Sequence, residues 1–60
     1  MDPIELVTNI NDLIEAGYML CIEETLTGGV IVHAQSGPSN FIERSFSVVV
    51  AVHNLARKLL

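Results

Sequence analysis

The chain is short of positive charge: three Lys and Arg stand against seven Asp and Glu, a net charge of −4 at pH 7. That balance argues against nucleic-acid binding, because phosphate contacts need clustered cations. There is a single cysteine, Cys21, which excludes an internal disulfide and a four-cysteine zinc site. There is no long apolar run either. The longest, Val48 to Val52, is five residues, where a membrane helix needs about 20. The first residues, Met1-Asp2-Pro3, are acidic where a secretory signal carries positive charge. The expectation is therefore a cytoplasmic protein with a reduced thiol and neither nucleic acid nor membrane as a partner.

What is present is apolar surface. Half of the 60 residues are hydrophobic, only 17% are charged, and the mean hydropathy is +0.49. This composition opposes disorder, which needs low hydrophobicity and high net charge. Sixty residues allow one small domain, spanning 1–60. A domain of this size buries only about 60% of the surface its unfolded chain exposes. The excess apolar surface points to self-association.

Residues Asp2-Pro3-Ile4-Glu5 read as a helix start, with a capping residue, proline at the first helical position and glutamate three places after the cap. Leu6, Val7, Ile10, Leu13 and Ile14 follow at helical spacing, and Gly17 sits where a left-handed terminator belongs. Tyr18 to Glu24 and Val30 to Gln35 are strand-like runs joined by a Gly-containing link, the pattern of a β-hairpin. A three-residue loop, Leu26-Thr27-Gly28, sets Leu20 and Ile22 opposite Ala34 and Val32 on one face. The other face then carries Met19, Cys21 and Glu23 opposite Gln35, His33 and Ile31. Loops with an even number of residues mix these sets, so sorting by burial selects the odd loop.

The last third carries two signals: Ser45 to Val52 is strand-like by local propensity, which leaves residues 46–52 open between helix and strand, while the polar spacing favours one helix from about Asn40 to the end. Asn40, Glu43, Arg44, Ser47, Asn54 and Lys58 fall near one stripe at 3.6 residues per turn, with Ser39 as cap and Arg57 and Lys58 at the C-terminus. The expected fold is α+β in the order α-β-β-α, with two helices packed on one face of a β-hairpin. Val48, Val52, Leu55 and Leu59, spaced 4, 3 and 4 apart, have the seam spacing of packed helices. They are expected to contact another copy across a two-fold axis, completing a homodimer or higher oligomer.

Chemistry-bearing residues are sparse. Cys21 and His33 are cross-strand partners beside Glu23, an arrangement that also suits a nucleophile and base or a partial metal site. No third group orients them, since His53 lies on a different element. The expectation is a packed cysteine with His33 at its edge, and no catalytic, cofactor or metal residue is assigned. With Met19 and Ile31 these three residues form a candidate ligand or partner face. The acidic positions Asp2, Glu5, Asp12 and Glu15 read as solvated helix surface. Gly28-Gly29 is not a phosphate loop, because Val30-Ile31-Val32 follow where Lys and Ser or Thr are needed.

The string Glu24-Thr25-Leu26-Thr27-Gly28-Gly29 resembles the Glu-Ser-Cys-Thr-Gly-Gly motif of the competence-damage-inducible family, whose C-terminal domain is similar to nicotinamide mononucleotide amidohydrolases. That family continues with a Val-Val-Ala-Tyr-Ser-Asn-Glu-Ala-Lys segment, comparable here to Val49-Val50-Ala51-Val52-His53-Asn54-Leu55-Ala56-Arg57. The resemblance implies a truncated, degenerate amidohydrolase relative with a helix over Val30 to Gln35. Thr25 stands where the family has serine, Val52 where it has tyrosine and Arg57 where it has lysine. Arginine does not replace a lysine base, because it stays protonated. The primary expectation is instead a small acidic, non-enzymatic binding protein, acting as a homo-oligomer in the manner of an inhibitor, adaptor or small-ligand binder. Its partners would be itself and another protein or a small ligand.

Overall fold

The computed structural model describes residues 3–60. The elements run α1 (Pro3–Glu15), β1 (Met19–Glu24), β2 (Val30–Ser36), β3 (Ser39–Ser45) and α2 (Val48–Leu59). The strands form one antiparallel sheet in the order β1-β2-β3. The proposed cap at Asp2 lies outside the described residues.

Gly17 ends α1. At φ +99° it lets the chain fold back so that the Gly17 N–H donates to the Ile14 carbonyl and the Tyr18 N–H to the Leu13 carbonyl, both at 3.0 Å. These two bonds satisfy carbonyls that the end of a helix would leave unpaired. The β1–β2 hairpin has the register expected from burial, with Leu20 opposite Ala34, Cys21 opposite His33 and Ile22 opposite Val32. Its loop is Leu26-Thr27-Gly28, with Gly28 at φ +87°. The loop is closed by the Thr25 N–H donating to the Gly29 carbonyl at 2.9 Å. Val30 to Gln35 are therefore strand, where the amidohydrolase resemblance implies helix.

The chain departs from expectation after Ser36. The single helix from Asn40 does not form: residues 39–45 are a third strand, Ser39 begins that strand, and α2 starts only at Val48, with Ser47 in the cap position. The order is α-β-β-β-α. The cause is the turn at Gly37-Pro38. Gly37 takes φ +58°, and proline fixes the next φ near −65°, which closes a two-residue hairpin between the paired Ser36 and Ser39. Once that hairpin is closed, residues 40–45 satisfy their backbone groups on the free edge of β2, which isolated helical spacing cannot match.

Both helices lie against one face of the sheet. Leu13, Val32, Ala34, Ala51, Val52 and Leu55 are fully buried there, and Ala56 nearly so. Leu6, Ile10, Tyr18, Leu20, Val30, Val48 and Leu59 pack around them. The seam expected between copies is thus turned inward. Val52 and Leu55 have no exposed surface, and Val48 and Leu59 pack against the same core. The third strand widens the sheet enough for α2 to bury its apolar stripe within its own chain. The result is a two-layer body 30 × 28 × 15 Å.

Candidate functional site

The pairing places alternate residues of all three strands on the face away from the helices. One row runs Met19, Gln35, Asn40. The next runs Cys21, His33, Ile42, and the third Glu23, Ile31, Arg44. Met19, Cys21, Glu23, Ile31 and His33, the five residues of the candidate face, lie together on this side of the sheet. The third strand adds Ile42 and Arg44, which the sequence pattern had assigned to a helix. The signal for them was the two-residue Gly37-Pro38 turn between Ser36 and Ser39.

No helix covers this face. Met19 is 73% exposed and Ile42 49%. Cys21, on the edge strand β1, is a free thiol exposed in the single chain. His33 is not at the edge but on the central strand, flanked on both sides, and its side chain is only 26% exposed. Its Nε2 lies 3.5 Å from Glu23 Oε1 and is buried without a hydrogen-bond partner. This contact is an ion pair when the ring is protonated, but its geometry falls short of a hydrogen bond. Arg44 makes no ion pair among the described residues.

Two further features border the sheet. A recess of about 270 Å³ opens between the β1–β2 loop and β3, lined in part by Thr25, Thr27, Arg44 and Phe46. The Thr25 hydroxyl, at the position of the family serine, accepts the Gly29 N–H at 2.9 Å and sits 3.1 Å from the Thr27 hydroxyl. It is a clasp for its own loop. On the helix side, Glu43 accepts hydrogen bonds from Lys58 at 2.6 Å and from Asn54 at 3.4 Å, tying β3 to α2. The Lys58 hydrogen bond is the main reason that the Glu43 carboxyl lies below its ordinary pKa, against the opposing effect of desolvation. His53 is partly exposed, with Nδ1 3.8 Å from Glu5 Oε1.

Among the described residues, no three His, Cys, Asp or Glu side chains are grouped to hold a metal ion, and no helix is long and apolar enough to cross a membrane. Comparison with protein-family models, curated proteins and solved structures finds no match to this chain. The geometry therefore defines only a class: a small α+β protein with one face of its sheet left open.

Proposed function

We propose that this protein is a non-enzymatic interaction protein that works as a homo-oligomer through the open face of its sheet, in the role of an inhibitor, adaptor or small-ligand binder. The observation that carries the reading is the exposure of Met19, Cys21 and Ile42 around Ile31 and His33 on a face with no covering layer. A sheet with one bare face carrying apolar side chains is half of a sandwich, and stacking on a second layer removes that surface from water. The interface belongs here rather than at Val48, Val52, Leu55 and Leu59, which the chain already uses for its own core.

The strand after Gly29 and the commitment of the Thr25 hydroxyl to Gly29 weigh against the amidohydrolase alternative. Sedimentation across the micromolar range tests the proposal. The expected result is a species heavier than the 6.5 kDa chain that dissociates on dilution. A 6.5 kDa species at every concentration overturns it.

A further inference from the structure

The open face has a charge pattern that is complementary to itself. Glu23 and Arg44 occupy the same row on opposite edge strands, with Ile31 between them. Two strand spacings of about 4.8 Å separate their backbones, so they do not meet within one chain. The row above is arranged likewise, with Cys21 and Ile42 on either side of His33. Both residues of the charged row are exposed, and Arg44 has no acidic partner among the described residues.

We infer that the partner on this face is a second copy of the same chain, stacked about a two-fold axis that runs along β2. The inference rests on the self-association proposed above and supplies its geometry. A rotation about that axis exchanges β1 and β3 while keeping each row in place. Glu23 of each copy then meets Arg44 of the other, giving two equivalent ion pairs across one interface. Cys21 meets Ile42 of the second copy, Ile31 meets its own counterpart on the axis, and the Gln35 amides face each other. A two-fold axis running across the strands instead sets Glu23 on Met19 and Arg44 on Asn40, which leaves all four charges against uncharged groups. Desolvating charges without partners is costly, so the axis along β2 is the one this pattern selects. An isologous interface of this kind closes on itself as a dimer and leaves no further copy to add.

The contact is small. Strands of seven residues at about 3.4 Å per residue, three abreast, give a footprint of roughly 24 by 14 Å. That is about 340 Å² per copy, roughly 700 Å² in all, below the ~1,200 Å² at which stable specific interfaces begin and in the range of transient contacts, so the association is expected to be weak, in the micromolar range, and sensitive to salt.

The test compares four chains by sedimentation equilibrium: wild type, Glu23→Arg, Arg44→Glu, and the double variant carrying both changes. Each single change sets two like charges against each other at both ends of the interface, and is expected to weaken association about tenfold or more. The double variant restores opposite charges with their places exchanged, and is expected to return to within about threefold of wild type. Both positions are exposed, so far-UV circular dichroism and urea midpoints should stay near wild type and show that the fold is intact. If wild type associates but the single changes have no effect, or the double variant is no better than the singles, this arrangement is overturned while self-association stands. If wild type stays monomeric throughout, both are overturned.

Discussion

Replacing Leu55 with alanine removes three side-chain carbons from a residue with no exposed surface. The transfer part of the loss is about 0.8 kcal/mol per carbon, or roughly 2.4 kcal/mol. A cavity term adds to this according to how far the neighbours can close in. Here they reach poorly, because the core cluster holding Leu55 includes Ala34, Ala51 and Ala56, whose methyl groups have no rotamers to extend. The expected cost is therefore well above the transfer part alone, about 3–4 kcal/mol. A chain of this length has only about 3–9 kcal/mol of stability in all. Urea unfolding followed by far-UV circular dichroism is the assay. With a slope near 1 kcal/mol/M, the low end for small domains, the midpoint should fall by about 3–4 M, or the variant should already be unfolded in buffer. Val50→Ala, at a position 43% exposed on the same helix, should move the midpoint little. An unchanged midpoint for Leu55→Ala would refute the placement of α2 against the sheet.

Two other expectations follow from local geometry, beside the sedimentation of the wild type and the charge exchange at Glu23 and Arg44. The Glu43 carboxyl is held below its ordinary value of 4.5 by Lys58, so its contribution to stability is present above pH 4.5 and is lost as pH falls below it. Lys58 is 63% exposed, so Lys58→Met should cost only about 0.5 kcal/mol at neutral pH, and the difference from wild type should disappear in acid-titrated urea midpoints. Gly28→Ala forces a side chain to φ +87°; it should cost about 1–2 kcal/mol in thermal unfolding, and a neutral outcome would mean that the loop does not use the left-handed conformation.

Much of the first half of the chain is legible in the sequence because its signals are local. Gly17 and Gly28 stand where positive φ is required, and the apolar sets Leu20 and Ile22, Val32 and Ala34 admit only one register that keeps them together. A slip of one residue turns every side chain to the other face, so burial alone fixes the pairing. The same parity sets Met19, Cys21, Glu23, Ile31 and His33 together on the opposite face.

The second half was decided by tertiary structure. Along residues 39–45 neither face is cleanly apolar: Phe41 points to the helix side with Glu43 and Ser45, while Ile42 points outward with Asn40 and Arg44. A strand written this way carries no period-2 signal, and its polar residues fall as readily on a helical stripe. Glu43 is tolerable on the inner side only because Lys58 and Asn54 come across from α2 to meet it, a contact between residues 11 and 15 positions apart. The same is true of the apolar seam. Spacing alone made Val48, Val52, Leu55 and Leu59 a stripe that had to be buried. Whether it was buried by another copy or by the chain itself depended on the width of the sheet, and that width was set by a strand that only the edge of β2 could hold in place.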